Sequence, residues 1–302
     1  MIEAVGLTKV YGQKAAVSDL TFTVRPGIVT GFLGPNGAGK STTMRMAVGL
    51  AEPTSGRVTV GGQDYRGLRA PLHEVGALLE ARAVHTGRTA YNHLLALART
   101  HGIGRSRVDA VIELVGIGDV ARKRVGGFSL GMGQRLGIAA ALLGDPAVLI
   151  LDEPVNGLDP EGIRWIRELL RYLAGQGRTV FVSSHLMSEM AQTADHLIVV
   201  GRGRLVADEP VDAFISRASR RSVVVRTPDA DRLRDLLMAE GAVVTSQDGP
   251  MLDVIGMDAV QIGEIAAAQR VTLHELTPQR ASLEEAFMEL TADDVEYAGS
   301  TR

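Results

Sequence analysis

Apolar residues in the first 215 positions fall into short runs of strand length, separated by helical or glycine-rich stretches. Continuous apolar runs of this kind are typical of strands buried on both faces of a parallel sheet. Strands are predicted at 2–11, 20–25, 28–33, 57–60, 147–151 and 179–184. Between about 81 and 144 the apolar spacing becomes three and four, which predicts a helical arm. The pattern predicts an α/β domain over residues 1–215, with a β-rich part before the arm.

The pattern changes after residue 215. Residues 216–291 predict strands and helices in the order β-α-β-β-α-β, followed by a last helix at 282–290. The predicted elements are strands 222–227, 243–246, 251–255 and 271–276 and helices 229–239 and 258–269. This order predicts a small C-terminal α+β domain of ferredoxin-like type, and the polar tail 292–302 is expected to be loose. Two interpretations remain open for this domain: a module for packing or dimer support, or a ligand-sensing regulatory domain.

Composition limits the classes of function. The chain has 302 residues, 45% of them hydrophobic, and a net charge of −3. With a pI near 6.2 it lacks the basic field that nucleic-acid binding needs, so no nucleic-acid partner is expected. No apolar run approaches the roughly 18 residues that span a bilayer, and no signal peptide is evident. A soluble cytoplasmic chain is therefore expected, and the absence of cysteine fits a reducing compartment.

Glycines recur just before a lysine at the end of the predicted strand 28–33. A phosphate chain is held by converging backbone N–H groups, which need residues that accept positive φ and let the backbone come close. At this spacing the lysine would reach the β- and γ-phosphates, and the serine hydroxyl would ligate Mg²⁺. A chance glycine-rich turn is the alternative. The predicted nucleotide-binding residues are Gly34, Pro35, Asn36, Gly37, Ala38, Gly39, Lys40, Ser41 and Thr42.

Two adjacent acids and a histidine follow two other apolar runs. Asp152 and Glu153 come after 147–151, and His185 after 179–184. In parallel α/β sheets the ligand binds beyond the carboxyl ends of the strands, so we expect all three near the phosphate loop. A strand places successive side chains on opposite faces, so Asp152 would hold Mg²⁺ while Glu153 polarises the attacking water. Two solvated acids at a strand end are the alternative.

In this order the motifs resemble those of the nucleotide-binding subunits of ABC transporters, over about residues 1–215. The resemblance implies a P-loop NTPase domain with a RecA-like core, a β-rich subdomain and a helical arm. Tyr11 lies where the family places an aromatic residue that stacks on adenine. The matching segments are the Walker A loop (34–41), the Walker B strand (149–153), the D-loop (157–160, with Asp159) and the switch histidine, His185.

Residues 128–135 resemble the family signature. Ser129 and Gly131 are kept, whereas Leu130 and Met132 replace a glycine and a glutamine. Ser129 can cap the following helix, whose free N–H groups and positive dipole end would meet a γ-phosphate. An ordinary capped helix is the alternative. The altered signature resembles the single-domain ATPases of bacitracin- and daunorubicin-type exporters, whose membrane subunit is a separate polypeptide.

Glu80 stands where most relatives have the Q-loop glutamine. A carboxylate oxygen can still ligate Mg²⁺, so Glu80 joins Ser41 and Asp152 as a predicted metal ligand. In the family, the Q-loop and the helical arm receive a coupling helix of the membrane subunit. Residues 80–91 are therefore candidates for that contact, with a plain solvated loop as the alternative.

The resemblance implies a subunit that binds and hydrolyses ATP to power the export of a drug, antibiotic or lipid-like compound through a separate permease. Ser129 would face the ATP of a second copy, giving a head-to-tail homodimer with two ATP molecules. Lys40, Glu153 and His185 would be the catalytic residues, and the subunit would lie on the inner face of the cell membrane. The alternatives are an ATPase of this fold without a membrane partner and a non-catalytic ATP-binding regulator.

Overall fold

The computed structural model describes residues 1–80, 84–218, 222–246, 249–279 and 282–291. These residues divide into two compact units, one containing Met1–Val211 and the other Asp212–Leu290. The division falls at the start of the helix Val211–Ala218, the same helix in which the predicted limit at 215 lies.

The first unit contains the segments predicted to bind nucleotide. Its strands are β1 (Ile2–Tyr11), β2 (Lys14–Val24), β3 (Val29–Leu33), β4 (Ser55–Val60), β5 (Val75–Leu78), β6 (Val148–Leu151), β7 (Thr179–Ser184), β8 (His196–Gly201) and β9 (Arg204–Pro210). Its helices are α1 (Lys40–Ala47), α2 (Pro71–Glu74), α3 (Ala90–Thr100), α4 (Arg105–Leu114), α5 (Leu130–Leu142), α6 (Pro160–Gly175) and α7 (Met187–Thr193), and α8 (Val211–Ala218) begins at its boundary.

Six strands form the main sheet, in the order β5-β6-β7-β3-β8-β9. The first five are parallel to their neighbours, and β9 pairs antiparallel with β8. Every residue of β3, β6 and β7 is buried, which explains why these strands have continuous apolar runs in the sequence. Because β5, β6, β7 and β3 are parallel, the segments after their carboxyl ends meet at one edge of the sheet. The fold class predicted for this unit is confirmed.

A second, antiparallel sheet has the order β2-β1-β4 and packs against the main sheet through aromatic side chains. Phe22 of β2 lies 5.8 Å from Phe32 of β3 and 5.9 Å from Phe181 of β7, measured between ring centroids. Phe32 and Phe181 are 5.0 Å apart, and all three rings are buried. Burying a side chain of this size contributes about 1.5–3 kcal/mol, so this cluster fixes β2 over the start of the phosphate loop.

The helical arm, formed by α3, α4 and α5, is tied to the sheet at the turn between α5 and β6. Asp145 in this turn accepts hydrogen bonds from Arg107 of α4 (3.1 Å) and from Arg178, which precedes β7 (2.9 Å). Arg107 also donates to the carbonyl of Leu142 at the end of α5. Burial alone would raise the pKa of the Asp145 carboxyl, but the hydrogen bonds and charges of the two arginines hold it below its ordinary value.

The second unit contains β10 (Ser222–Arg226), α9 (Ala230–Ala239), β11 (Val243–Ser246), β12 (Met251–Ile255), α10 (Ala259–Ala268), β13 (Glu275–Gln279) and α11, whose helix runs over Leu283–Thr291. The sheet order β11-β12-β10-β13, antiparallel throughout, is that of a ferredoxin-like domain. The element order matches the predicted one.

The position predicted for the last strand of this unit, 271–276, is wrong, because β13 runs over Glu275–Gln279. Val271 is buried, but its N–H bonds to the carbonyl of Ala266, so it completes the end of α10. Pro278 lies inside β13, which is an edge strand and therefore accepts a residue without an N–H.

Within the described ranges, every helix is too short or too polar to cross a lipid bilayer.

Candidate functional site

The phosphate loop predicted at residues 34–39 connects β3 to α1, which begins at Lys40. The Lys40 side chain folds back into the loop, where its Nζ donates to the carbonyls of Gly34 (2.6 Å) and Pro35 (3.2 Å). Lys40 is only 7% exposed. Desolvation lowers the pKa of its ammonium, and the nearby charges of Glu153 and Asp152 oppose that shift. The loop thus holds a buried amine beside two carboxylates.

Gly39 is the residue that lets the loop enter α1. Its φ is +99°, and a Cβ at this position would overlap the carbonyl oxygen of Ala16 in β2. The helix start therefore lies directly on the β1–β2 hairpin. Ser41 is exposed and Thr42 half-buried in the first turn of α1, where backbone N–H groups have no intrahelical partner. The helix start thus carries hydroxyl and N–H donors of the kind that bind anions.

Tyr11, the predicted adenine-stacking residue, lies at the end of β1 on the same hairpin and is 52% exposed. The ammonium of Lys9 stands over its ring, 5.0 Å from the centroid. The same Nζ donates to the carbonyl of Glu52 at 2.6 Å. The cation favours one orientation of the tyrosine and covers one face of its ring, which leaves the other face for stacking.

Asp152 and Glu153 follow β6, but the expectation that strand alternation separates them is wrong. The strand ends at Leu151, and Glu153 has a left-handed backbone with φ of +51°. Ser183 of β7 holds both residues: its Oγ donates to Asp152 Oδ1 at 2.5 Å and accepts from the Glu153 N–H at 2.9 Å. The two carboxylates are therefore directed by a bend and a neighbouring serine, and not by the pleat of a strand.

His185 follows β7 and contacts Glu153 directly. Its Nδ1 lies 2.7 Å from Glu153 Oε2, with the histidine side chain 49% exposed and the glutamate 21% exposed. Both residues were expected at this sheet edge, and the structure brings them within hydrogen-bonding distance. An ionised carboxylate only accepts, so Nδ1 carries the proton and Nε2 faces away from the pair.

Two side chains that the sequence did not assign to the site support it, namely Ser183 and Gln134. Ser183 is fully buried at 0% exposure in an apolar strand, and a polar residue in such a run needs a partner. Gln134 of α5 is 3% exposed, and its Nε2 donates to the carbonyl of Glu153 at 3.2 Å. The polarity of Ser183 in a buried run was an available signal. Nothing in the sequence around Gln134 indicated its partner.

The signature segment lies at the start of α5, where the Ser129 Oγ accepts a hydrogen bond from the N–H of Met132 at 3.2 Å. Ser129 therefore caps this helix, as its sequence position predicts. Leu130 is 45% exposed and packs on Gly157 of the D-loop segment, where φ is +76° and a Cβ would overlap the leucine side chain. Asp159 caps α6 by accepting from the N–H of Gly162 at 2.9 Å.

A groove of about 630 Å³ lies between these two helix starts. Its lining includes Ser129, Gly131, Arg135, Gly157 and Asp159. The predicted residues of the signature and the D-loop thus share one surface of the first unit.

Glu80 is exposed and lies two residues beyond β5, the strand next to β6. The N–H of Asp152 donates to the carbonyl of Leu78 at 2.7 Å, which joins the ends of these two strands. The predicted coupling segment 80–91 falls partly outside the described residues, because 81–83 are not among them. Across the described residues, three or more His, Asp or Glu side chains nowhere converge as a ready metal cluster.

Comparison with known proteins agrees with this geometry. Residues 17–156 match the family model described as "ABC transporter", and residues 221–284 match a domain of unknown function, DUF8746. The second match covers most of the ferredoxin-like unit.

Curated relatives and solved structures extend the match. Over 235 residues, covering 77% of this chain and 76% of the relative, the sequence is 41% identical to the bacitracin transport ATP-binding protein BcrA of Bacillus licheniformis. It is 36% identical to the ABC transporter ATP-binding protein YhcH of Bacillus subtilis over 300 residues, 98% of this chain and 97% of that one. The dimeric post-hydrolysis structure of the cassette MJ0796 with ADP and Pi, at 23% identity, matches 70% of this chain and 99% of its own with a TM-score of 0.64.

A phosphate loop, two acids and a histidine at one sheet edge form the arrangement of a P-loop ATPase. The chain belongs to the ATP-binding subunits of ABC transporters. As a member of this family it is an ATP-binding protein of the ABC ATPase class.

Proposed function

We propose that this subunit hydrolyses Mg-ATP to drive the export of a drug, antibiotic or lipid-like compound through a separate transmembrane permease. The observation that carries the catalytic part is the Glu153–His185 pair, 2.7 Å apart beside the buried amine of Lys40. The name of BcrA, which is a bacitracin transport protein, supports an exported antibiotic as the class of substrate. The subunit then works on the inner face of the cell membrane, where ATP is available.

Mg²⁺ fits the oxygen donors near the loop. Ser41 offers a hydroxyl, and Asp152 has one oxygen bonded to Ser183 and a second oxygen for the cation or its water. Glu80 is a third oxygen donor on the neighbouring strand end. Bound there, Mg²⁺ would offset the charge that develops on the transferring phosphoryl group.

Water activation falls to Glu153, with His185 as its partner. The carboxylate takes the proton of the water that attacks the γ-phosphorus, which contributes typically about 10²- to 10⁴-fold to a rate. His185 holds the carboxylate through Nδ1, and Nε2, on the opposite side of the ring, is the nitrogen that would reach the γ-phosphate. Lys40 leaves the loop carbonyls for the phosphate oxygens, which are stronger acceptors.

The complete site takes two copies of the chain. Lys40, Ser41, Asp152 and Glu153 reach the phosphates from one side, while the N–H groups at the start of α5 belong to a different surface. In a head-to-tail homodimer, the Ser129 helix start and Asp159 of one copy close over the ATP held by the other. The cassette MJ0796, which shares this fold, is dimeric in its structure with ADP and Pi, and this supports a dimer of the present chain.

The catalytic proposal is tested with Glu153→Gln, which keeps the shape of the side chain but cannot accept a proton. We expect a rate of phosphate release about 10²- to 10⁴-fold lower, with ATP affinity retained and a dimer that persists in ATP by light scattering. The control is Glu168→Gln, an exposed acid on α6, which should keep the parental rate. Parental turnover by Glu153→Gln refutes the assignment of the base.

The export proposal is tested by co-expression with membrane proteins encoded beside this chain. We expect a complex in detergent whose ATPase rate rises with bacitracin-like peptides. We also expect the co-expressing cells to resist such peptides, and to lose that resistance when Glu153 is replaced. If the chain hydrolyses ATP but none of these membrane proteins binds it or changes its rate, it is instead an ATPase without a membrane partner. ATP binding without any turnover identifies a regulator.

A further inference from the structure

The backbone of Glu153 is held in an unfavourable conformation by bonds on both sides. Its φ of +51° lies in the left-handed region, which is unfavourable for a non-glycine residue and persists only where the surrounding structure holds it. On one side the N–H donates to Ser183 Oγ at 2.9 Å. On the other, the carbonyl accepts from Gln134 Nε2 and from the N–H of Asn156, both at 3.2 Å. The direction of the carboxylate depends on these bonds.

Gln134 lies in the second turn of α5, the helix that Ser129 caps. The next residue, Arg135, donates to the carbonyl of Val115 at 2.8 Å and stacks on Trp165, with 4.3 Å from its Cζ to the ring centroid. The start of α5 is thus fixed to the arm and to α6, and Gln134 extends from it to Glu153. A displacement of this helix start changes the bond to the Glu153 carbonyl.

We propose that Gln134 is a positioning residue for Glu153. Through Gln134, the position of the α5 start determines the direction of the Glu153 carboxylate in the same chain. The inference rests on the proposed function, because it takes Glu153 as the base. Gln134 touches neither the phosphates nor the water, and acts through the peptide that carries Glu153.

The first test is Gln134→Leu, which keeps the volume and removes the donor. The carbonyl keeps its bond from Asn156, so we expect a folded protein. A misdirected base lowers kcat by about 10- to 100-fold. The KM for ATP should stay within about twofold, because Lys40 and the phosphate loop are unchanged. Thr193→Val is the control, since it also removes a buried side-chain donor, which bonds the Glu189 carbonyl at 2.7 Å, and it should keep the parental kcat.

The second test is Gln134→Glu, measured as the ratio of its kcat to that of the parental chain between about pH 6 and pH 9. A carboxylate cannot donate to the carbonyl, whereas the protonated acid can, and burial raises the pKa of such a group. We expect the ratio to rise as the pH falls. A ratio that stays constant over this range overturns the proposal, whether or not Gln134→Leu folds.

A third measurement uses Glu153→Gln as background. If Gln134 acts only through the base, adding Gln134→Leu to that variant lowers single-turnover hydrolysis by less than about twofold. A drop as large as in the parental chain overturns the inference but leaves Glu153 as the base. A parental protein without ATPase activity fails the proposed function itself, so the two failures are distinguishable.

Discussion

The edge of the main sheet and the paired starts of α5 and α6 both carry predicted site residues, but they differ in how those residues are bonded. At the sheet edge, Asp152, Glu153 and His185 come from two strand ends and are joined by bonds between elements. At the helix starts, Ser129 and Asp159 bond only within their own helices. A sheet edge therefore assembles its chemistry within one chain. The helix starts offer unpaired N–H groups, which in our proposal meet a ligand held by another copy.

Lys40→Ala should have the largest effect of the variants at the sheet edge, and the effect should appear in ATP binding. It removes an amine that bonds two loop carbonyls and that, in our proposal, moves to the phosphates. Charge-assisted bonds contribute about 1.5–3 kcal/mol each, so ATP should bind roughly 10²- to 10³-fold more weakly in calorimetric titrations. Lys123→Ala, an exposed lysine of the arm, is the control. Unchanged ATP affinity in Lys40→Ala contradicts the phosphate-loop assignment.

Ser183→Ala should reduce activity next. It removes both bonds that direct Asp152 and Glu153, and we expect kcat to fall by about 10- to 100-fold with little change in KM. The neighbouring Ser184→Ala loses only a bond from the N–H of Leu186, so it should lose less than about threefold. Equal losses in the two variants would mean that Ser183 contributes no more than general packing of β7.

Ser129→Ala tests whether the helix starts contact the phosphate. It removes a helix cap worth about 1 kcal/mol, and we expect kcat to fall roughly tenfold as the γ-phosphate contact weakens. Thr89→Ala is the matched control, because Thr89 caps α3 in the same way, by accepting from the N–H of Asn92 at 3.2 Å. Both variants should lose similar thermal stability, and only Ser129→Ala should lose activity. If Ser129→Ala and Thr89→Ala have equal kcat values, the start of α5 does not contact the phosphate.

Asp145→Asn should have the smallest effect, which appears in stability and not in chemistry. The folded pKa of Asp145 is lowered, so its ion pairs stabilise the fold above the ordinary carboxyl pKa of about 4 and are lost as the pH falls through the folded value. Asn accepts the left-handed backbone at this position, where φ is +56°.

For this largely exposed aspartate we expect a loss of less than about 1 kcal/mol at pH 7 in urea unfolding, which shrinks as the pH falls through the lowered pKa of the folded state. Asp109→Asn, an exposed acid of α4, makes the same change of charge. A loss in Asp145→Asn that does not depend on pH would contradict the ion-pair account.

Local patterns predicted most of the fold and the order of the site segments. The continuous apolar runs of β3, β6 and β7 fit only buried strands. Serine is a preferred helix-capping residue, so Ser129 indicates the start of a helix. The orientation of Glu153 could not be predicted, because it depends on Ser183 and Gln134, which are 30 and 19 residues away. The last strand was misplaced because a buried valine at a helix end has the same local pattern as a strand residue.

The contact between Leu130 and Gly157 limits the order in which these two positions can change during evolution. A side chain at 157 overlaps the leucine, so such a mutation is excluded while Leu130 is present. A chain that first acquires glycine at 130 removes that overlap, although the positive φ at 157 still favours asparagine or aspartate over branched residues. A side chain at position 157 can therefore be acquired after glycine has replaced Leu130, but not before.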